Sequence, residues 1–497
     1  MKKLVSCFAV ASLLALGSSA IADLCTIEAT PAATLLLPYF EVDIDNPNGV
    51  DTFFSINNAS AAAAMTHVIV WTDLSVEALD FNVYLTGYDV QTIGMGLIIR
   101  DGVLPSTIDA ISVSPVGPYS DAPPGGIDNT VDGYPACTAF GLPYDTPALD
   151  ADYLAHIQSI LTGGPSAIYN GRCGGLDYGD NIARGYVTVD ITNDCTLRTP
   201  CESGYFWSEA GFYTGVGEYD NILWGDWYMI DYANDFAQGD SLVHIEAVDP
   251  ADVVGQDYLN GTFWGRCNLD LDVPFGASPW VDLRETLPTT FATRFYQNAA
   301  FTGGTDLLVW RDSLIQMLVA DVVTGYGDND VRGFNCNIGP LWFPISQRQV
   351  VTFDEAENPE ALCTISPCPE EDILFPAEAQ RVSVSDLDVT PESGWFYMNL
   401  NQGPFSDVTY LSQAWVTSVH SAEGRFSAGL PAIQMSNFCD NTSIVLGPAG
   451  PDYPASDVVY NYFTSEYYQG GIGPLAPSHG PDQHPYIEHK LSRFTGN

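Results

Sequence analysis

The first candidate for chemistry is an acidic loop, Asp43-Ile-Asp-Asn-Pro-Asn-Gly-Val-Asp51. Hard cations such as calcium bind several oxygen ligands on a tight turn, and glycine permits such a turn. The spacing departs from an EF-hand by one residue, and no glutamate occupies the closing position. The sequence predicts a calcium site formed by Asp43, Asp45, Asn48 and Asp51, with a polar Asn-Gly turn between two strands as the alternative.

A second candidate is an acid beside an aromatic ring that stacks on a sugar. Glu218 precedes Trp224 and Trp227, and Glu392 precedes Trp395. Such pairs would fit a protein that binds or cleaves carbohydrate, whereas rings buried in a core are the alternative. Acidic residues are so frequent that no pair of carboxylates stands out as a hydrolase site.

Other cation sites have weaker support. Asp270-Leu-Asp272 and Asp328-Asn-Asp330 are short acidic pairs, and His479, His484 and His489 recur every five residues near the C-terminus. Imidazoles bind transition metals, but this spacing suits no single helix face, so exposed tail histidines are the alternative.

Several enzyme classes lack their motifs. No Gly-x-Ser-x-Gly and no His-Glu-x-x-His is present, and Gly215-Val-Gly217 lacks the third glycine of a dinucleotide site. Lys490 is the only lysine beyond the first three residues, so no Walker A loop can form. We therefore predict no catalytic residues and no cofactor other than calcium, and we favour a protein that is not an enzyme.

The N-terminus has the pattern of an export signal. Lys2 and Lys3 precede an apolar run from Leu4 to Leu16, and Ala20-Ile-Ala22 is a typical cleavage site. We predict removal of residues 1–22 and a secreted, periplasmic or cell-surface protein. No later segment is long and apolar enough for a transmembrane helix.

Charge excludes further partners. The chain has 62 Asp and Glu but 16 Lys and Arg, a net charge of −46, so its surface would repel nucleic acid and anionic membranes. The hydrophobic content of 46% is ample for a packed core.

The cysteines predict disulfides, since an even number follows the signal in an exported chain. Cys195/Cys201 and Cys363/Cys368 would close short loops, and Cys137/Cys173 would close a Gly-rich stretch. Zinc is the alternative, but no Cys-x-x-Cys occurs. The remaining cysteines, whose pairing stays open, are Cys25, Cys267, Cys336 and Cys439.

An internal repeat divides the chain. Residues 52–73 match residues 293–312 with one two-residue gap, including Thr52/Thr293, Trp71/Trp310 and Asp73/Asp312. Further matches follow in the same order, and they are 185–191 with 394–400, Leu223 and Trp227 with Leu411 and Trp415, and Phe236-x-x-Gly239 with Phe426-x-x-Gly429. Each unit holds five of these cysteines, so full pairing requires a bridge between the units.

Local patterns predict an all-β fold. Leu79, Phe81, Val83 and Leu85 alternate with polar residues, and one short helix is predicted at 153–161. We predict two tandem antiparallel β-sandwiches, 23–250 with a Gly/Pro-rich insert at 101–180 and 260–440, followed by an irregular tail, 447–497.

The strand and turn pattern of 52–90 resembles sandwich modules of exported bacterial proteins, a resemblance that implies no activity. The function predicted from these features is structural or adhesive, with self-assembly or a polysaccharide as partner. The alternative is a secreted protein that binds or cleaves carbohydrate.

Overall fold

The computed structural model describes part of the chain. The described residues are 27, 29–105, 149–194, 196–200, 204–206, 215–247, 263–264, 284–297, 303–312, 333–337, 339–340, 343–345, 347, 349–360, 374–387, 389–401, 413–422, 426–435, 443–445 and 459–461. Within these ranges, no helix is long and apolar enough to cross a membrane.

The first half of the chain forms two antiparallel sheets. Their strands are β1 (Thr34–Asp43), β2 (Val50–Asn58), β3 (Ala64–Thr72), β4 (Glu77–Leu85), β5 (Val90–Gly94), β6 (Ile182–Thr192), β7 (Leu223–Trp224), β8 (Asp226–Asp231), β9 (Phe236–Ser241) and β10 (Val243–Ile245). Sheet A has the order β5-β2-β8-β9, with β7 also paired to β2, and sheet B has the order β10-β1-β6-β3-β4.

The second half forms two more antiparallel sheets. Their strands are β11 (Thr290–Tyr296), β12 (Gly303–Arg311), β13 (Gln349–Asp354), β14 (Pro359–Glu360), β15 (Ala379–Ser383), β16 (Ser393–Asn399), β17 (Ala414–Ala422), β18 (Phe426–Pro431) and β19 (Ile433–Gln434). Sheet C has the order β15-β12-β17-β18, and sheet D has the order β14-β13-β16-β11-β19. A separate pair joins β20 (Ser443–Val445) to β21 (Val459–Asn461). The all-β prediction is confirmed.

Hydrophobic alternation gave the correct strands and faces. Leu79, Phe81, Val83 and Leu85 are all at most 3% exposed and belong to one core cluster. The run from Ser241 to Ala247 is divided between two sheets, since β9 of sheet A ends at Ser241 and β10 of sheet B begins at Val243. The buried Leu242 lies between them.

The helices of the described residues are short, and the two α-helices lie beside the first pair of sheets. They are α1 (Met95–Ile99), α2 (Ala151–Leu161) and a 3-10 turn at Val384–Asp386. Helix α2 confirms the helix predicted at 153–161, and Asp150 caps it by accepting a hydrogen bond from the Tyr153 N–H at 2.9 Å. Residues 106–148 of the predicted insert, including Cys137, lie outside the described residues.

The strand orders of the two halves agree. Sheet C repeats the order of sheet A, and sheet D repeats that of sheet B, when β1–β6 are matched in sequence with β11–β16 and β8–β10 with β17–β19. The strand register also agrees. Thr34 of β1 lies opposite Asp190 of β6, and Thr290 of β11 lies opposite Asn399 of β16.

The sequence match of 52–73 with 293–312 is shifted by one strand relative to this structural correspondence. That match aligns β2 and β3 with β11 and β12, but β2 pairs with β8 in sheet A, whereas β11 pairs with β16 in sheet D. The strand counterpart of β2 is β12. Trp227 and Trp415 also differ, since Trp227 packs with Phe54 between sheets A and B, whereas Trp415 pairs with Trp310 on the side of sheet C that faces the first half.

The four sheets stack in the order A, B, C, D, and β18 at the edge of sheet C also contacts β9 at the edge of sheet A. Leu307, Val309 and Val416 on one side of sheet C pack with sheet D, whereas Leu308 and Trp310 on the other side join the core of the first half. In each sheet, the side that points away from the other sheet of the same sandwich is called the outer face. The outer faces of sheets B and C therefore meet each other.

Aromatic rings fill the interface between sheets B and C. Trp71 and Tyr186 on sheet B stack with centroids 6.0 Å apart, and Trp310 of sheet C meets Tyr186 edge-on at 5.8 Å. Phe263 stacks on Trp310 at 5.5 Å. At the margin, Arg381 of β15 forms an ion pair with Glu41 of β1 at 3.2 Å.

A disulfide also joins the two halves. Cys173 is bonded to Cys336, 163 residues further along the chain. The predicted Cys137/Cys173 pair is therefore wrong, whereas a bridge between the two halves, expected from five cysteines in each, is confirmed. Backbone hydrogen bonds in both directions between Cys173 and Phe334, at 3.0 and 2.9 Å, place the two cysteines side by side. Cys195 and Cys201 lie outside the described residues.

Candidate functional site

The acidic loop folds as a hairpin turn between β1 and β2. Asp43 Oδ1 accepts hydrogen bonds from the N–H groups of Asp45 and Asn46, at 3.0 and 2.9 Å. Asn46 Oδ1 accepts from the Asn48 N–H, and a Cβ on Gly49 would lie 2.2 Å from Asp43 Oδ2. Glycine is thus required where the turn closes on the carboxylate.

Two of the four predicted calcium ligands, Asp51 and Asp45, bind residues outside the acidic loop. Asp51 is 5% exposed and accepts hydrogen bonds from the N–H groups of Gly96 and Thr52, with Arg100 at 3.4 Å. Burial raises the pKa of this carboxyl group. Asp45 accepts a hydrogen bond from Asn181 at 2.6 Å.

Among the described residues, no group of three or more His, Cys, Asp or Glu side chains is arranged to hold a metal. Calcium binding by Asp43, Asp45, Asn48 and Asp51 stays a prediction. The pairs Asp270/Asp272 and Asp328/Asp330 and the three tail histidines lie outside the described residues.

The predicted pairs of acid and ring separate in the structure. Trp227 is 1% exposed and belongs to the core, whereas Trp224 is 42% exposed. Glu218 lies in the chain before β7, where its carbonyl oxygen accepts a hydrogen bond from Arg284 at 2.9 Å. Trp395 is half-buried on sheet D and stacks on Phe353 at 4.1 Å.

Among the described residues, the outer face of sheet A presents two exposed aromatic rings. Trp224, Asp226 and Tyr228 alternate along β7 and β8, so all three point to the same side. Trp224 is 42% and Tyr228 51% exposed, and the two rings lie about 13 Å apart along the strand. We call this surface the aromatic platform and define it by Phe53, Ser55, Asn57, Trp224, Asp226 and Tyr228.

Hydrogen bonds hold the polar part of the aromatic platform in place. Ser55 Oγ donates to Asp226 Oδ1 at 2.6 Å, and Asn57 donates to Ser55 Oγ at 2.9 Å and to the Trp224 carbonyl oxygen at 3.0 Å. Tyr228 Oη donates to Asp226 Oδ2 at 3.3 Å. The charge of Asp226 raises the pKa of Tyr228, so this phenol stays protonated at neutral pH.

Such a surface can bind a ligand but has no catalytic pair. The two rings offer apolar faces to a planar or ring-shaped partner, while Asp226 accepts hydrogen bonds between them. Hydrolysis of a glycoside needs two carboxyl groups at a defined separation. The other acid on this face, Asp51, is bound to Gly96 and Arg100.

Asp226 was missed in the sequence, although the signal was present. In Leu223-Trp-Gly-Asp-Trp-Tyr228, period-two alternation puts Trp224, Asp226 and Tyr228 on one face and Trp227 on the other. Proximity in sequence pointed to Glu218 instead, which lies outside the strand.

No family model, no curated protein and no solved structure matches the chain.

Proposed function

We propose that this is an exported structural or adhesive β-sandwich protein that binds its partner through the aromatic platform. The observation that carries the proposal is the alternation of Trp224, Asp226 and Tyr228 on a solvent-exposed sheet face. Tryptophan and tyrosine are enriched where proteins bind one another, because each contributes a large contact area at a low cost in conformational entropy.

The proposed architecture is two related units, 23–250 and 260–440, with the insert at 101–180 as part of the first. The equal strand orders of sheets A and C and of sheets B and D support this division. The bridge from Cys173 to Cys336 makes the units one covalent assembly independent of the connecting chain.

Export is part of the proposal. The charged, apolar and cleavage regions of residues 1–22 support it, and a disulfide is compatible with an oxidising location outside the cytoplasm.

The test is retention on a surface. Purified wild-type protein, a Trp224→Ala/Tyr228→Ser variant and the control Ile168→Ser are labelled and incubated with intact cells of the producing organism that lack the gene. Ile168 is 48% exposed but lies after helix α2, away from the aromatic platform. We expect the wild type and the control to be retained equally and the platform variant at least about tenfold less. Equal retention of all three proteins would refute a binding role for this face.

A second candidate function is carbohydrate binding at the same face. It is favoured by the placement of Asp226 between two exposed rings, which suits a sugar with apolar faces and hydroxyl groups at its edge. Because the chain has a net charge of −46, the expected ligand is a neutral glycan and not an acidic one. A glycan array probed with the wild type and with Asp226→Asn tests it, and binding that ignores this substitution would contradict it.

A further inference from the structure

Arginine packs in the same way at several places in this molecule. Three arginines each lie with the guanidinium over an aromatic ring and form an ion pair with a carboxylate. The guanidinium carbon is 4.5 to 5.6 Å from the ring centre, and a guanidinium nitrogen is 2.6 to 3.3 Å from a carboxylate oxygen. A guanidinium suits both neighbours at once, because its flat face stacks on a ring while its edge donates to an acid. The three sets are Arg184 with Tyr178 and Asp180, Arg284 with Phe206 and Asp190, and Arg381 with Phe236 and Asp306.

The aromatic platform has a ring beside a carboxylate but no arginine. Tyr228 Oη lies 3.3 Å from Asp226 Oδ2, and the other oxygen of this carboxylate is bound to Ser55 Oγ at 2.6 Å. Among the described residues, the side chains that contact this carboxylate are these two hydroxyl groups and no basic residue. Because a carboxylate oxygen accepts more than one hydrogen bond, both oxygens of Asp226 can accept a further donor.

The rings of the platform leave open the surface beside this carboxylate. Phe53 and Tyr228 are paired across β2 and β8, and a glycine of the next strand follows on either side. A Cβ on Gly94 of β5 would lie 3.3 Å from the Phe53 ring. On the opposite side, a Cβ on Gly239 of β9 would lie 2.7 Å from the Tyr228 ring. Each ring therefore lies over its glycine, so the two rings lean away from each other and a trough runs between them along the strands.

The polar side-chain atoms beside this trough accept hydrogen bonds. Asn57 is 2% exposed, and its amide nitrogen donates to Ser55 Oγ at 2.9 Å and to the Trp224 carbonyl oxygen at 3.0 Å. Its side-chain oxygen has no donor among the described residues. Since Asn57 and Asp226 lie on the same face in adjacent rows, their oxygens form a set of acceptors, and a ligand must supply the donors.

The charge of the chain selects a cation among the possible donors. The chain has 62 acidic and 16 basic residues, and Arg100 on this side of sheet A is already paired with Asp51 at 3.4 Å. A surface of this sign attracts cationic partners and repels acidic ones. Arginine fits better than lysine, because a guanidinium is flat, stacks on aromatic rings and is more weakly hydrated than an ammonium group.

We propose that the aromatic platform binds an arginine side chain of a partner protein, with the guanidinium on the Tyr228 ring and paired with Asp226. This inference rests on the proposed function and gives the chemistry of its partner. It assigns one side chain of that partner, and the binding energy of an interface is concentrated in a few residues, among which arginine, tryptophan and tyrosine are enriched. The complex is expected to be transient, because the face is too small for a large permanent interface.

The test uses three short peptides and four forms of the protein. The peptides are acetylated and amidated Gly-Arg-Gly and its counterparts with lysine and with citrulline, which has the shape of arginine without the charge. The proteins are the wild type, Asp226→Asn, Trp224→Ala/Tyr228→Ser and the control Asp152→Asn. Asp152 is exposed in the first turn of α2, so the control removes the same charge away from the platform. Affinity is measured by nuclear magnetic resonance titration at physiological salt, which screens exposed charges more than about 8 Å apart.

The expected results follow from the pairing of a ring with a carboxylate. The wild type and Asp152→Asn should bind the arginine peptide equally, whereas Asp226→Asn and the platform variant should each bind it at least about tenfold more weakly. The wild type should bind the citrulline peptide at least about tenfold more weakly than the arginine peptide, because the cation is missing. The lysine peptide should lie between these two. Circular dichroism and thermal melting establish that each variant is folded.

Other outcomes overturn the inference. No binding of the arginine peptide to the wild type, or equal binding of arginine and citrulline peptides, refutes it. Unchanged affinity in Asp226→Asn would show that this carboxylate is not the partner, and an equal loss in Asp152→Asn would show that only the net charge matters. Equal binding of the lysine peptide would overturn the assignment to arginine.

Competition on cells separates this inference from the proposed function. An excess of the arginine peptide should release bound wild-type protein in the retention assay, whereas the citrulline peptide should not. Retention that depends on Trp224 and Tyr228 but resists the arginine peptide would refute arginine recognition and retain the proposed function. Equal retention of the wild type and the platform variant would refute the proposed function, whichever peptides bind.

Discussion

Removal of the bridge between the two halves has an effect that can be calculated from the structure. The variant Cys173→Ser/Cys336→Ser opens a loop in which the two cysteines are 163 residues apart. The chain-entropy relation for a loop of that size gives about 5 kcal/mol of lost stability at 25 °C, an upper value since native-state strain and residual structure reduce it. The backbone bonds between Cys173 and Phe334 remain, so we expect the same native fold with a lower free energy of unfolding.

Urea denaturation followed by tryptophan fluorescence measures this loss. Trp71, Trp264 and Trp310 lie between or beside the two halves and are at most 6% exposed, so their emission changes when the halves separate. We expect the variant to unfold at lower urea by about 2–5 kcal/mol under oxidising conditions. In reductant, wild type and variant should become equal, because the bridge is their only difference. A difference below about 1 kcal/mol, or one that persists in reductant, would refute the reasoning.

Three further substitutions test other parts of the fold. Burial raises the pKa of Asp73 to about 7, so its contribution to stability is full below about pH 4 and is lost as pH rises to 7. Asp73→Asn should remove up to about 4 kcal/mol of that pH dependence, measured by urea titration at pH 4 to 8. Arg284→Met leaves Asp190, 3.3 Å from the guanidinium, buried without this cation and should cost about 3–5 kcal/mol in the same assay. Gly185→Ala and Gly394→Ala place a Cβ 1.9 and 1.8 Å from a carbonyl oxygen of the next strand, so each should lower the melting temperature, with Gly429→Ala, whose Cβ would meet its nearest atom at an ordinary contact distance of 3.5 Å, as the control.

The sequence determines strands and faces well, because period-two burial is a local property. It places Leu79 and Phe81 in the core and Trp224 opposite Trp227 without knowledge of the fold. The end of β9 at Ser241 was not predictable, since Leu242 continues an apolar pattern whether the chain stays in one sheet or passes to another. Sheet membership depends on partners distant in the chain.

The shift of the repeat by one strand has the same origin. Successive strands of a sandwich share alternation, branched residues and a closing polar turn, so a strand resembles its neighbour as well as its counterpart. Thr52 and Phe54 therefore match Thr293 and Phe295, although β12 is the strand that corresponds to β2. The later match of Gly185 with Gly394 agrees with the strand order, since β6 corresponds to β16, and at both glycines a Cβ would meet a carbonyl oxygen of the next strand.

The aromatic platform shows why a candidate site is harder to predict than a fold. Asp226 acquires its role from Ser55, which is 171 residues away and donates a 2.6 Å hydrogen bond across the sheet. No spacing rule connects these two residues, and the nearest acid in sequence, Glu218, lies elsewhere. Alternation could give the side of the strand, but whether that side met solvent or another sheet depended on the stacking of the four sheets.

One pair of equivalent positions in the two halves has different residue types, and the difference follows from the packing of the sheets. Asp190 of sheet B and Asn399 of sheet D occupy the same register position and are both buried, at 1% and 0% exposure. Arg284, from the segment that leads into the second half, reaches Asp190 beneath sheet C. A buried carboxylate needs such a cation, whereas an amide is neutral and needs only hydrogen bonds. Asp190 therefore lies where the segment between the two halves provides an arginine, whereas Asn399 lies on sheet D, away from that segment. The same register position of the β-sandwich pattern therefore has a buried ion pair at the contact between the halves and a buried neutral amide on sheet D.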